Sequence, residues 1–367
     1  MGRDEEEDDN GGGGGRERTK LDDVAVHETV PSLLLDGTGL VCVTGGTGFV
    51  ASWLIMRLLQ RGYSVRATVR TNPEGNKKDI SYLTELPFAS ERLQIFTADL
   101  NEPESFKPAI EGCKAVFHVA HPMDQSGNET EEAVTKRTVQ GLMGILKSCA
   151  DAKTVIRFFY TSSAVTVFYS GGNAGGGSGE VDESVWSDVE VFRNQKEKRV
   201  SGSYVVSKLA AEMAALEFGA KNGLEVVTLV IPLVVGPFIS PSLPSSVFIS
   251  LAMLFEGNYK EKYLFDTYNM VHIDDVARAM IYLLEKPIAK GRYICSSVEM
   301  KIDEVYEFLS TKYPQFQLPF IDMKNYKVEK RMSLSTKKLR SAGFEFKYGA
   351  DEIFSGAIRS CEARGFL

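Results

Sequence analysis

Three residues of this chain have types and spacing that suit proton delivery to a carbonyl. Tyr204 and Lys208 stand four apart in "SYVVSKLAAE". On a helix that spacing puts both side chains on one face, about 5–6 Å apart at Cβ. Ser162 and Ser163 follow an apolar run in "FFYTSSAVTVF". A free phenol, with pKa ~10, is a poor acid–base at neutral pH. A nearby ammonium and the charge of an oxidised nicotinamide favour the phenolate and lower that pKa. A hydroxyl from Ser163 would donate to the carbonyl oxygen and fix its direction. Two surface residues on an amphipathic helix can show the same spacing, so its weight depends on what precedes it.

What precedes it is "LVCVTGGTGFVAS", residues 40–52. A short apolar run enters a glycine turn and leaves into an apolar helix pattern. Gly45, Gly48 and Ala51 give G-x-x-G-x-x-A in the required context between a strand and a helix. The first glycine permits the tight turn, the second lets a phosphate approach the backbone, and the small Ala51 allows close helix–strand packing. Thr47, Phe49 and Val50 complete the turn, and the free N–H groups at the helix start would face a pyrophosphate. The next strand pattern, "YSVRATVR", selects among dinucleotides, because no acid occurs from Gly45 through Pro73. An NAD site usually carries Asp or Glu there for the ribose hydroxyls. Arg70 takes that place, and a guanidinium pairs well with a 2′-phosphate. Lys77 and Lys78 either join that cluster or stay solvated. The expected cofactor is NADP(H).

These residues need a scaffold, and the pattern supplies one. Apolar, β-branched runs occur at 40–44, 64–69, 92–96, 115–119, 155–161 and 225–231. Helix-like segments lie between them at 48–61, 77–86, 103–111, 129–151 and 202–222. Such alternation implies right-handed crossovers and a parallel sheet covered on both faces. The predicted class is α/β, a doubly wound parallel Rossmann sheet with a smaller mixed C-terminal substrate lobe. Residues 1–36 read as an acidic, Gly-rich leader that cannot bury a core. Residues 37–236 read as the NADP-binding domain. Residues 237–367 read as the substrate lobe, with a segment near 271–284 returning to the first domain. The Gly-rich stretch 170–180 reads as an insertion.

Composition removes several alternatives. The formal charge of the 367-residue chain is −7. Residues 1–15 supply −5 of it, from six acids at 4–9 and Arg3. The remaining −2 leaves no electrostatic case for nucleic acid or an anionic membrane. The five cysteines, Cys42, Cys113, Cys149, Cys295 and Cys361, are scattered without C-x-x-C spacing. They fit reduced structural thiols and a cytoplasmic location. His27, His118, His121 and His272 form no ligand pattern, so no metal is expected. No apolar stretch reaches the ~18 residues of a membrane span, and no signal peptide is visible.

In this order the motifs resemble the extended short-chain dehydrogenase/reductases, within them the plant dihydroflavonol 4-reductase, vestitone reductase and anthocyanidin reductase group. The resemblance covers about residues 38–367 and rests on "VCVTGGTGFVASWLI", "RATVR", "TADLNEP", "VFHVAHPMD", "VTKRTVQG", "FYTSSA", "YVVSK", "IPLVVGPF", "MVHIDDVARA" and "LRSAGFEFKYGADEIFSGAI". The leader joined to this body resembles dihydroflavonol-reductase-like proteins implicated in brassinosteroid inactivation. The resemblance implies Ser163, Tyr204 and Lys208 as the catalytic set, with Tyr204 and Lys208 also touching cofactor. It implies Asp99 and Leu100 beside the adenine, and Val119, Ala120 and His121 along the ribose. Pro232, Val235 and a serine at 245–246, taken as Ser246, would frame the nicotinamide and diphosphate. His272 and Asp274 would brace the lobes. Substrate contacts would fall to Met123, Phe168 and Ser163.

Phe168 departs from the pattern, since dihydroflavonol reductases resemble one another in a polar residue five places after the serine. Phe cannot replace that hydrogen bond, so a substrate hydroxyl there would be penalised. Either Phe168 faces a flatter, more apolar partner or it fills core space. The expected activity is NADPH-dependent reduction of a multi-ring ketone, a brassinosteroid first and a flavonoid second. The rivals are a nucleotide-sugar epimerase or dehydratase, disfavoured by Arg70, and a non-enzymatic NADP(H)-binding regulator, which has no use for Ser163, Tyr204 and Lys208 together.

Overall fold

The computed structural model describes residues 38–70, 79–122, 129–171, 179–196, 198, 200–255, 265–287, 289–318 and 331–367. The leader 1–36 and most of the 170–180 insertion lie outside them. In chain order the strands are β1 (Leu40–Thr44), β2 (Ser64–Val69), β3 (Leu93–Thr97), β4 (Ala115–His118), β5 (Arg157–Ser163) and β6 (Glu180–Val181). There follow β7 (Glu225–Ile231), β8 (Leu233–Val235), β9 (Thr267–His272), β10 (Gly291–Ile294), β11 (Val298–Lys301) and β12 (Ser333–Leu334). The main sheet runs β10-β7-β5-β4-β1-β2-β3 and every pair in it is parallel. This is the expected doubly wound α/β architecture. Smaller sheets, β11-β9-β8 and β12-β6, complete it.

Strand alternation explains why the central runs are apolar throughout. Val41 and Val43 of β1 enter one core with Ala115 and Phe117 of β4 and Phe159 of β5. Cys42, Val116, Phe158 and Tyr160 enter the opposite core. Successive side chains of a strand face opposite ways, so a sheet covered on both sides needs apolar residues at every position. Helix Phe49–Arg61 and helix Ile273–Glu285 cover the first face through Leu54, Leu58, Val276 and Met280. Helix Glu131–Ala152 and helix Gly202–Asn222 cover the second through Leu142, Leu146, Ala211 and Ala215. Each fully buried Leu contributes roughly 1.5–3 kcal/mol.

Two stretches differ from expectation. The fifth apolar run, 155–161, gives a strand that starts later, at Arg157, and ends with the two serines as read, Ser162 pairing with Val230 and Ser163 with Ile231. A buried serine is tolerated there because Glu212 accepts its hydroxyl at 2.7 Å. Beyond the expected return at 271–284, β10 also comes back and pairs with β7 as the seventh strand. A four-residue strand carrying the polar Arg292 gives a weak apolar signal.

Two charged side chains tie these layers together. Arg157, fully buried, donates to the carbonyls of Leu283, Leu284, Lys286 and Pro287 and pairs with Glu225 at 2.6 Å. It thereby satisfies the orphan carbonyls that end helix Ile273–Glu285. Asp274 accepts from Trp53 Nε1 at 2.9 Å and Tyr348 Oη at 3.0 Å, and pairs with Arg57. Burial alone would raise its carboxyl; the donors from Arg57, Trp53 and Tyr348 outweigh that and hold it low. His272 stacks on Tyr348 with ring centroids 3.9 Å apart. His272 and Asp274 thus both meet Tyr348.

Asp274→Asn is expected to lower the unfolding free energy by roughly 2–3 kcal/mol at neutral pH, after discounting for the part-exposed Arg57. A carboxyl with a lowered folded-state pKa stabilises above its unfolded pKa and loses that contribution as pH falls through the folded value. Urea midpoints of the two proteins should therefore converge in acid.

Candidate active site

The chain passes β1, β2 and β3 outward, then returns to lay β4 on the other side of β1. The connections after β1 and β4 diverge there and leave a crevice at the strand carboxyl ends. A cleft of about 1000 Å³ occupies that place and extends toward the small sheets. It is at the upper end of ordinary ligand cavities, enough for a dinucleotide and a second molecule.

The glycine turn forms its floor. Gly45 has φ +71°, and a Cβ there would meet Ala120 Cα at 2.9 Å. Glycine is required by conformation and by space. Gly48 N donates to Gly45 O at 2.8 Å, and helix Phe49–Arg61 begins with no side-chain cap and no acid in its first turn. Ala51 is fully buried against the sheet. A helix start without a cap, a cradle that a side chain would fill and a first turn without acids fit a dinucleotide pyrophosphate. Arg70, just past the end of β2, is exposed and lines the same cleft. The residues present therefore fit a phosphorylated dinucleotide.

The strand end beside β1 is locked by Thr44. Its Oγ1 accepts from the N–H groups of Val119 and Ala120, each at 3.2 Å, and lies 2.9 Å from His118 Nδ1. With both N–H groups donating to it, the hydroxyl donates to His118. Burial beside Lys208 pushes His118 down to about 3, so the ring is a neutral acceptor.

On the opposite wall, Ser163 is within hydrogen-bonding reach of the Tyr204 phenol. His121 meets the Tyr204 ring edge-on at 5.4 Å. Lys208 Nζ donates to Thr161 O at 2.9 Å and lies 5.1 Å from the Tyr160 ring centroid and 6.0 Å from that of Tyr204. The expected lowering of the phenol pKa is not seen in this state. Burial raises Tyr204, with the Ser163 hydrogen bond only partly offsetting it. Burial also brings Lys208 down to about 8 against the pull of Glu212. Each group loses hydration of its charged form. A phenol that keeps its proton is a donor to an oxygen that gains negative charge.

Gly45, Thr47, Gly48, Phe49, Val50, Arg70, Asp99, Leu100, Val119, Ala120, His121, Ser163, Phe168, Tyr204, Lys208, Pro232 and Ser246 all line this one cleft. Ser245 lines it as well. Val235 does not: it is fully buried in the core of the small lobe, while Leu233 and Val234 line the wall. Lys77, Lys78 and Met123 lie outside the described residues. Phe168 is 6% exposed within an apolar cluster and also borders the cleft. Thr44, Phe265 and Arg331 escaped the sequence reading. The only signal for Thr44 was a polar residue closing an apolar strand. Arg331 lies over Phe265 at 3.3 Å from the ring centroid, a contact between distant segments that carries no local pattern.

A profile of the NAD dependent epimerase/dehydratase family matches residues 41–295. The chain is 86% identical over 340 residues to Protein BRI1-5 ENHANCED 1 of Arabidopsis thaliana, covering 93% of each chain. It is 48% identical over 335 residues to vestitone reductase of Medicago sativa, covering 91% of this chain and all of that one. The crystal structure of vestitone reductase from alfalfa superposes with a TM-score of 0.78 at 46% identity, over 90% of this chain and 100% of that one. Among the described residues no helix is long and apolar enough to cross a membrane.

Gly45→Ala forces a side chain into the left-handed region and against Ala120. Dinucleotide affinity, read by fluorescence titration of the reduced nicotinamide, is expected to fall about tenfold or more, with the far-ultraviolet circular dichroism retained.

Proposed function

This chain belongs to the NAD dependent epimerase/dehydratase family and is a nicotinamide-dinucleotide-dependent oxidoreductase, and we propose that it uses NADPH to reduce a ketone of a rigid multi-ring substrate, a brassinosteroid first. One observation carries the reading. Arg70, the glycine turn, Ser163, Tyr204 and Lys208 border a single cleft at the switch point of the sheet.

The cofactor, when bound, supplies the hydride that the ketone carbon accepts. The chain does the rest. Gly45 and Gly48 let the pyrophosphate approach the backbone, and Thr47, Phe49 and Val50 present the N–H groups of the turn and helix start to it. Arg70 takes the 2′-phosphate in a charge-assisted contact, with Lys77 and Lys78 adding positive charge. Asp99 and Leu100 border the adenine; Val119, Ala120 and His121 border the ribose; Pro232 and Ser246 frame the far end. Ser163 donates to the substrate oxygen and orients it. Tyr204 gives that oxygen its proton. Lys208 holds the ribose and offsets the charge left on the phenol. Metal is not required by this scheme.

Phe168, Ile249 and Phe265 add apolar surface to the cleft, and Arg331 lines it over the Phe168 and Phe265 rings. A flat, largely apolar ring system suits that wall, and Phe168 offers nothing to a ring hydroxyl. The leader and body together resemble proteins implicated in brassinosteroid inactivation, which ranks a steroid ketone first. The second reading is a flavonoid ketone, favoured by the similarity to vestitone reductase. We place the protein in the cytoplasm, with residues 37–236 as cofactor domain and 237–367 as substrate lobe.

Purified protein incubated with NADPH and a panel of steroid and flavonoid ketones is expected to consume NADPH absorbance fastest with a steroid. Tyr204→Phe should abolish turnover and leave NADPH affinity within about twofold. No oxidation with either ketone class defeats the activity claim. Arg70→Ser is expected to weaken NADPH about ten- to a hundredfold while changing NADH little. Equal or tighter uptake of NADH by the unaltered protein overturns the cofactor assignment.

A further inference from the structure

Tyr204, Lys208 and Glu212 repeat at four-residue intervals along one helix face. The third of them has no part in the scheme above, yet it is fully buried and three side chains donate to it. Its Oε2 accepts from Ser162 Oγ at 2.7 Å, and its Oε1 from Thr228 Oγ1 at 2.6 Å and Arg292 Nε at 3.0 Å. Arg292, itself 6% exposed, comes from β10. It donates to the carbonyls of Glu183 and Val185 at 3.0 and 2.6 Å and stacks on Trp186 at 3.5 Å. Its remaining nitrogen reaches Thr166 Oγ1 at 3.1 Å, and that hydroxyl donates to the carbonyl of Ser163 at 2.9 Å.

Ser163 is therefore gripped from both sides, through Ser162 by Glu212 and through Thr166 by Arg292. The same carboxylate anchors the helix that carries Tyr204 and Lys208 and pulls on the Lys208 ammonium. A buried ion pair is a weak source of net stability compared with an apolar filling, so its position calls for another explanation. We propose that Glu212 and Arg292 are the positioning pair of this site, holding Ser163 and Lys208 in register and keeping the Lys208 side chain charged. This rests on the role given to Lys208 in the proposed function.

The groups facing Lys208 define what its titration reports. They are Tyr204 and Glu212 on its own helix, Tyr160 on β5, His118 on β4 and His121 just beyond it. Arg292 on β10 stands behind Glu212. Both histidines are driven low by burial, and burial drives both tyrosines high. Lys208, at about 8, is then the group that titrates between neutral and mildly alkaline pH. Affinity for NADPH should be full below that value and decline as pH rises through it.

NADPH fluorescence titrations from about pH 6 to about pH 10 test the proposal. In the unaltered protein an alkaline decline is expected, and Lys208→Gln should erase it. Glu212→Gln removes the anion that favours the ammonium, so the midpoint should move down by about half a unit or more. Arg292→Met leaves the carboxylate uncompensated, so the midpoint should move up. Opposite shifts mark a charge relay to Lys208, whereas general loosening moves both the same way or neither. Should these two variants fail to fold, Ser162→Ala decides. It takes one donor from Glu212, leaves both charges in place and is expected to weaken NADPH about threefold at neutral pH. Unmoved midpoints in both charge variants, or unchanged affinity in Ser162→Ala, overturn the proposal while the cofactor reading stands. A protein that binds no NADPH at all defeats the cofactor reading itself, and this pair's role with it.

Discussion

The constraint on which this molecule depends is the reversal of winding between β1 and β4. Right-handed crossovers place helix Phe49–Arg61 on one face and helices Glu131–Ala152 and Gly202–Asn222 on the other. At the reversal no crossover covers the strand ends, and the opening left there cannot be closed by packing. Everything chemical in the chain collects around it. The glycine turn leaves β1, Val119 to His121 leave β4, and Ser163 ends β5. Function is placed by topology before any side chain is chosen.

A second theme is the use of desolvation. The site is dry enough that Tyr204 and the two nearby histidines keep their neutral forms, and Lys208 gives up part of its usual hold on a proton. Each charged group retained in this interior has a dedicated partner. Arg157 has a helix terminus and Glu225, and Asp274 has Arg57, Trp53 and Tyr348. Such partners fix geometry more than they add stability. They explain how a cleft this large can coexist with a fixed arrangement of Ser163, Tyr204 and Lys208.

Much of this was legible in the amino-acid order because local rules and global fold agree. The glycine turn, Arg70 after the second strand and the Tyr-x-x-x-Lys spacing are local signals read in sequence. The structure sets them in one cleft. What escaped depends on pairings over long separations. β10 is four residues long, carries Arg292, and becomes a strand because β7 offers it an edge. Val235 carries the same apolar character as its neighbours; only its packing partners from distant segments bury it in the lobe core. That β5 ends with the two serines was readable from the order of residues, but only the carboxylate facing Ser162 shows why a buried hydroxyl is tolerated there. Thr44 and Arg331 act through partners more than 70 and 60 residues away, beyond the reach of any local pattern.

The late arrival of β10 bears on how the protein is made. The sheet's outermost strand on this side is separated from β7 by the whole of β8, β9 and helix Ile273–Glu285. A nascent chain emerging N-terminus first therefore holds β7 as a bare, strongly apolar edge until the chain through Ile294 has left the ribosome. Exposed edges of that kind recruit other strands. The wait is longest for the stretch whose closure also delivers Arg292 to Glu212. Completion of the edge and completion of the interior beneath the reacting groups are thus one event in biosynthesis.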